Sequence, residues 1–300
     1  TVVLPNSVTT ILSYAFQSCS QLINITLSEN IRTIEDYTFS YCPGLKRIEL
    51  PQSLERLESY VFCESTGLEN VIFGPNVNFI GPFTFIHCES LRTIELPSKI
   101  NAISAYLFTL CSSLESISIP NNVTAIGDYS FHSCTKLHTV NFPSKLVAIG
   151  SYTFYSCQSL INLTLPASLT HVFRYSFFDC VNLENVLFEG ELPPSYLSHL
   201  PFTNCSRLQY VTVYSFYKST EFCALPVQYI VIQSTPSNIF SSSYYFTQSK
   251  TFSLSNTFSN SNTFSRSSVF SPSNIFSDTS SFTYSKIFSS SDRFTFSSKF

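Results

Sequence analysis

Residues 143–165 read "PSKLVAIGSYTFYSCQSLINLTL", and this order of apolar, aromatic and cysteine residues returns every 23 residues along most of the chain. In the first eight copies, one position of the repeat is always phenylalanine, and the position two residues before it is always aromatic. The phenylalanines are Phe16, Phe39, Phe62, Phe85, Phe108, Phe131, Phe154 and Phe177. A unit of this length is too short to bury its own apolar side, so successive copies must stack on one another.

The repeat predicts a β-rich solenoid with a 23-residue period and parallel strands over residues 1–213, in about nine copies. Its L-x-x-L-x-L segment alternates inward and outward positions, as a short strand does, and proline ends the strand because it lacks a backbone N–H. Ser or Asp ahead of the aromatic pair, as at Asp36 and Ser151, predicts a side-chain cap on a single helical or 3₁₀ turn. A two-residue insertion shifts the ninth copy to Phe202.

Cysteine follows the aromatic pair at a fixed distance, and a residue required once for chemistry does not recur with the period of the fold. A reactive thiol needs a neighbouring cation and a zinc site needs converging ligands, and neither is visible around Cys19. We therefore expect a column of buried, unpaired thiols, interrupted in the third copy by Ser65, with Cys63 two places early. A disulfide between Cys205 and Cys223 across a C-terminal cap stays an alternative.

Charge and motifs exclude several classes of function. The net charge of −3 and the lack of a Lys/Arg cluster argue against nucleic acid or anionic membrane as a partner. The sequence shows neither an apolar run long enough to span a membrane nor a signal peptide. The five histidines occupy different repeat positions and no catalytic motif occurs, so we predict no enzymatic activity, no metal and no cofactor.

Outward strand positions are the candidate binding residues, because they vary between copies whereas the inward positions hardly vary. They are Asn24, Thr26, Arg47, Glu49, Asn70, Ile72, Thr93, Glu95, Ser116, Ser118, Thr139, Asn141, Asn162 and Thr164. A ladder of mixed polar side chains along a solenoid is typical of an extended protein-binding surface. Plain solvation of this face is the alternative.

The residues of 143–165, with their proline entry, Ile-Gly pair, Phe, Cys and L-x-x-L-x-L, resemble the BspA-type leucine-rich repeat of bacterial and protist surface antigens. The resemblance implies a curved β-rich solenoid and roles in adhesion and in binding host or matrix proteins. It favours a non-enzymatic cell-surface or secreted antigen or adhesin that binds an unidentified protein ligand. An intracellular leucine-rich-repeat scaffold and a self-associating structural surface-layer protein are the alternatives.

The composition changes after the repeats. Residues 214–235 are predicted to form an irregular C-terminal cap, and residues 236–300 a Ser/Thr/Phe low-complexity tail with Phe at every sixth position from Phe240 to Phe300. Such a tail favours a disordered spacer, with β self-association as the alternative.

The two ends of the chain and four N-glycosylation motifs lead to further expectations. The chain begins inside a repeat, so we expect further repeats or a cap before Thr1, and a tail that continues past Phe300. Without those segments we expect self-association through the N-terminal edge or the Phe-rich tail. N-glycosylation motifs occur at Asn24, Asn122, Asn162 and Asn204, and their state stays open.

Overall fold

The computed structural model describes residues 1–196 and 199–231 of the chain. The low-complexity tail predicted over 236–300 lies outside these residues and stays a prediction. Residues 1–231 form one compact unit.

The described residues form a β-solenoid of short strands. In chain order these are β1 (Val2–Val3), β2 (Ile25–Thr26), β3 (Thr33–Ile34), β4 (Arg47–Glu49), β5 (Arg56–Leu57), β6 (Asn70–Ile72), β7 (Phe79–Ile80), β8 (Thr93–Glu95), β9 (Ala102–Ile103), β10 (Ser116–Ser118), β11 (Ala125–Ile126), β12 (Thr139–Asn141), β13 (Ala148–Ile149), β14 (Asn162–Leu165), β15 (His171–Val172), β16 (Asn185–Phe188), β17 (Ser195–Tyr196), β18 (Val211–Tyr214), β19 (Glu221–Phe222) and β20 (Leu225–Ile230).

Each coil contributes two strands, and both pair in parallel with their equivalents in the next coil. The first file contains the predicted L-x-x-I-x-L strands, and its register joins Ser116 to Thr139, 23 residues apart. The second file, from β3 to β17, was not predicted and joins Ala125 to Ala148. The insertion near the ninth copy lengthens the step to 24 residues between His171 and Ser195. The predicted parallel solenoid is therefore confirmed, with one strand more per coil.

Stacked phenylalanine rings run through the centre of the core. Phe39, Phe62, Phe85, Phe108, Phe131, Phe154 and Phe177 are fully buried. From Phe16 to Phe202, consecutive rings of this column lie 4.9–5.7 Å apart, centroid to centroid. A parallel column of half-exposed rings runs from Tyr14 to Tyr175 with spacings of 4.4–5.3 Å. Because each ring packs between two others, the coils stabilise one another and no single coil has a core of its own.

The turn that carries the aromatic pair differs from the predicted helical or 3₁₀ turn. Tyr129 and Ser133 have positive φ values of 57° and 56°, and the same two positions are left-handed in the other coils up to Asp179. The turn has two left-handed residues four positions apart, and every second N–H points at the next coil, so Tyr129, Phe131 and Ser133 donate to its carbonyls at 2.8–2.9 Å. A helix would commit those N–H groups to its own carbonyls. The bonds between coils offset the roughly 1–2 kcal/mol that a left-handed non-glycine residue costs.

The predicted side-chain caps act between coils. The carboxylate of Asp36 accepts a hydrogen bond from the backbone N–H of Ser59 at 2.7 Å, and Asp128 accepts one from Ser151 at 2.6 Å. Each carboxylate therefore caps the turn of the following coil and not its own turn. The reason is the same turn geometry, which points N–H groups along the solenoid axis.

Cysteine thiols form a further bond between coils. Cys134 Sγ donates to the carbonyl of Phe108 at 3.1 Å, and the equivalent bond recurs in other coils, up to Cys205 and Phe177 at 3.0 Å. Ser65 occupies the cysteine position of its coil, and its hydroxyl donates to the carbonyl of Phe39 at 2.7 Å. The hydrogen bond to the phenylalanine carbonyl is therefore present in the third copy as well, where serine replaces the cysteine. All ten cysteines carry free thiols, so the Cys205–Cys223 disulfide is not what the structure shows.

A β-hairpin closes the core after the ninth coil. Strands β19 and β20 are antiparallel, and Cys223 and Ala224 form their two-residue loop with positive φ at both positions, the geometry that such hairpins favour. Phe222 is fully buried, with its ring 4.9 Å from Phe188 and 6.2 Å from Phe202. The hairpin therefore covers the last rings of the column.

Candidate protein-binding face

The outward side chains of the first strand file form one continuous surface, which we call the strand face. It contains the fourteen predicted residues between Asn24 and Thr164; all are exposed except Ile72 and Ser116, which are half-buried. The parallel register places them in files, so that Ser118 stands beside Glu95 on one side and Asn141 on the other. The structure brings the candidate residues together along the solenoid. Their role in binding remains a prediction.

Two open grooves lie on the strand face. The larger one has a volume of about 930 Å³ and is lined by the strands β6, β8 and β10 and the turns that follow them, up to Asn122. The second has a volume of about 440 Å³ and lies over β12 and β14. Both grooves are shallow and wide, a shape that suits a polypeptide segment or a protein loop.

Side chains outside the predicted set also line the grooves. Phe73 and Phe142 are half-buried and sit at the ends of β6 and β12, each with its ring edge against the central phenylalanine column. Asn121 and Asn122 line the larger groove from the turn after β10. The signal that could have identified them is the proline or glycine that ends each strand, because the residues around it lie at the rim of the face.

Amide and hydroxyl groups on the face bond to one another between coils. Asn141 donates its side-chain amide to Ser118 Oγ at 3.0 Å, and Asn185 donates to Asn162 Oδ1 at 2.8 Å. These bonds hold the side chains in fixed orientations while leaving further donors and acceptors facing solvent. A rigid array of this kind can recognise a polar partner with little loss of side-chain entropy.

Charge is unevenly distributed on the strand face. Arg47 and Glu49 lie within 4.0 Å of each other at its N-terminal end. Beyond them neither groove is lined by a lysine or an arginine, and each holds one carboxylate, Glu95 in the larger groove and Glu189 in the smaller. Within residues 1–196 and 199–231, neither carboxylate has an ion-pair partner.

The thiols and imidazoles are arranged for packing. Burial raises the pKa of the Cys42 and Cys63 thiols to about 11, which keeps them protonated and unreactive near neutral pH. His132 stacks on Tyr155 at 4.7 Å, its Nδ1 is buried, and burial lowers the pKa of its ring. No group of three or more His, Cys, Asp or Glu side chains in the described part of the chain could hold a metal ion. Among the same residues, no helix is long and apolar enough to cross a membrane.

The geometry defines a class: a leucine-rich-repeat solenoid whose variable strand face lies on an invariant core. The sequence matches the family model of the BspA type leucine rich repeat region (6 copies) over residues 1–114 and 102–221. The chain belongs to this family, as the resemblance predicted. Solenoids of the leucine-rich-repeat family are generally non-enzymatic binding scaffolds.

Two solved structures resemble this solenoid. A leucine-rich repeat protein from Bacteroides ovatus is 28% identical with a TM-score of 0.64, covering 77% of this chain and 62% of its own. The T. pallidum leucine rich repeat protein is 29% identical with a TM-score of 0.51, covering 53% of this chain and 76% of its own. This chain therefore spans less than two thirds of the length of the Bacteroides ovatus protein. No curated protein matches the sequence.

Proposed function

We propose that this chain is a protein-binding module of a cell-surface or secreted adhesin or antigen, and that it binds host or matrix proteins through the strand face. The observation that carries the proposal is the pair of grooves on that face, lined by outward residues that differ from coil to coil. A solenoid needs only its inward columns to fold. The variation of these outward residues along one continuous grooved surface supports a recognition role for that surface.

The dimensions of the strand face suit a protein ligand. From Asn24 to Thr164 the face crosses six steps between coils, and at about 4.8 Å per step it extends about 29 Å. A polypeptide of about nine residues in extended conformation has this length at about 3.3 Å per residue. The amide and hydroxyl groups on the face supply hydrogen bonds for such a segment, and Ile72 and Phe73 supply apolar contact.

The free cysteines are compatible with a protein located either at the cell surface or inside the cell. Ten free cysteines would favour a reducing compartment if they were accessible. Cys88, Cys111, Cys134 and Cys157 are fully buried, and burial raises the pKa of each. A protonated thiol without solvent access oxidises slowly, so the solenoid can function outside the cell without disulfides. The surface location therefore rests on the family resemblance.

A pair of matched triple variants tests the proposal. Thr93, Ser116 and Thr139 lie on the strand face of three consecutive coils, and replacing all three by glutamine fills the grooves without adding charge. The control replaces Ala102, Ala125 and Ala148 by glutamine, because these residues lie on the second strand file of the same three coils.

Binding of immobilised wild type and both variants to fibronectin, laminin, fibrinogen and collagen is measured by biolayer interferometry. We expect at least one of these proteins to bind the wild type and the alanine-file variant equally, and the strand-face variant at least tenfold more weakly. If both variants bind a protein equally well, the binding site for that protein lies outside the strand face. If the wild-type chain binds none of the four proteins, the adhesin proposal is contradicted.

A further inference from the structure

We propose that the strand face binds an extended polypeptide segment through a lysine or arginine of that segment, which pairs with Glu95 in the larger groove. This inference rests on the proposed protein-binding function and names the chemistry of the partner. It follows from the electrostatics and from the neighbours of one side chain.

Among the residues that the structure describes, Glu95 is the only charged one that lines the larger groove. It is exposed, and no hydrogen bond or ion pair joins its carboxylate to another residue of the described chain. Its equivalent two coils earlier, Glu49, has Arg47 at 4.0 Å, and other exposed carboxylates pair with the preceding coil, such as Glu55 with Arg32 at 2.5 Å. The carboxylates on neighbouring coils are thus balanced within the chain, whereas Glu95 has a charge left for a partner.

The surroundings of Glu95 fit the shape of a long basic side chain. In the register of the coils, Ile72 precedes Glu95 on the face, and Phe73 lies at the end of the same strand, both half-buried and both lining the groove. Ser118 stands beside Glu95 on the other side. The methylene groups of a lysine or arginine can lie on Ile72 and Phe73 while the charged head reaches the carboxylate and the serine hydroxyl.

The second groove also holds a carboxylate, at a different position of the repeat. Glu189 lines it without a lysine or arginine, four coils beyond Glu95. At about 4.8 Å per coil the two carboxylates are about 19 Å apart along the axis, which an extended segment covers in about six residues. A segment that lies along the solenoid with two basic residues about six positions apart would engage both grooves. The carboxylate in each groove attracts cations, so the partner is a basic segment and not an acidic or neutral one.

The experiment selects ligands without assuming their sequence. A phage-displayed library of random 12-residue peptides is selected against the 300-residue chain, and enriched peptides are tested on the wild type and on the strand-face triple glutamine variant. Peptides that lose binding to that variant define the face-dependent set. Their affinities are then measured for E95Q, for E95K and for the control E89Q, since Glu89 is exposed in the same coil but does not line the groove.

We expect most face-dependent peptides to share a lysine or arginine. Their binding should weaken about two- to fivefold with E95Q, in the range of an exposed ion pair, at least tenfold with E95K, and less than twofold with E89Q. Exchanging the basic residue of a peptide for glutamate should restore its binding to E95K.

Face-dependent peptides that lack a basic residue, or that bind E95Q and E95K as tightly as the wild type, would overturn this inference and leave the proposed function standing. A selection that yields no face-dependent peptide would contradict both.

Discussion

Removing one ring from the centre of the phenylalanine column tests the stacking of coils. Phe108 is fully buried, and its ring lies 5.4 Å from both Phe85 and Phe131. Truncation of a buried phenylalanine to alanine costs about 3–5 kcal/mol through lost burial and the cavity that remains. Each of the two ring stacks adds about 0.5–1.5 kcal/mol. We therefore expect Phe108→Ala to lower the free energy of unfolding by about 4–8 kcal/mol.

The measurement is urea and thermal unfolding followed by far-ultraviolet circular dichroism. For a unit of this size, a loss of 1 kcal/mol lowers Tm by about 2–4 °C, so the expected drop is about 8–32 °C. Phe16→Ala is the control, because Phe16 is half-buried and stacks on Phe39 alone, at 5.3 Å. Its cost should be about half that of Phe108→Ala. A change below about 1 kcal/mol for Phe108→Ala, or a larger cost for Phe16→Ala, would refute the argument that each ring is stabilised by both neighbours.

Three further predictions concern single positions of the repeat. Cys134→Ser should retain the bond to the Phe108 carbonyl, as Ser65 does in its coil, whereas Cys134→Ala should cost about 0.5–1.5 kcal/mol more, because that carbonyl then accepts only the backbone N–H of Cys111; equal unfolding midpoints in urea would contradict the role of the thiol. Because burial lowers the pKa of His132 in the folded state, its contribution to stability is full above the unfolded pKa of about 6.5 and is lost as pH falls below it towards the folded value. His132→Tyr should flatten that pH dependence in thermal melts, and an unchanged slope would assign it to another group. Iodoacetamide at pH 8 should label only Cys19 in the native protein, since it is the one cysteine that is not buried, and all ten after denaturation without reductant; mass spectra showing few free thiols after denaturation would indicate disulfides.

The fold was predictable because its signal is repeated. The columns of Phe, aromatic residue, Cys and aliphatic residues agree in register, so each copy supports the assignment of the others. The predicted L-x-x-I-x-L strands and the buried cysteine column follow directly from this periodicity. The second strand file did not, because a two-residue strand such as Ala125–Ile126 has too few residues to show an alternating pattern.

The backbone of the aromatic turn could not be predicted from local preference. Tyrosine has no tendency to adopt positive φ, yet Tyr37, Tyr60 and Tyr106 all do. The left-handed conformation is stable only because the next coil offers carbonyls to the N–H groups that it exposes. Local capping rules likewise misplaced the partner of Asp36, which lies 23 residues away.

Some features of the strand face could likewise be predicted from the sequence, and others could not. The outward residues of the strand face, including Glu95, could be identified as soon as the inward positions of the repeat were known. The sequence alone could not show that the turns add Phe73 and Asn122 to the rim, or that the carboxylate of Glu95 has no ion-pair partner among the described residues.

The sequence by itself therefore determined the solenoid, its period, its inward columns and the identity of its outward face, since these depend only on the order of apolar and polar residues within one repeat. The tertiary structure alone decided the turn conformation, the caps, the grooves and the balance of charge on the strand face. The turn conformation and the caps depend on contacts between residues 22 to 26 positions apart, such as Ser59 with Asp36, and the buried thiols make contacts of the same kind, such as Cys134 with Phe108. The physical reason is that a coil of this solenoid satisfies its polar groups on its neighbours, so its geometry is set by the stack and not by the coil.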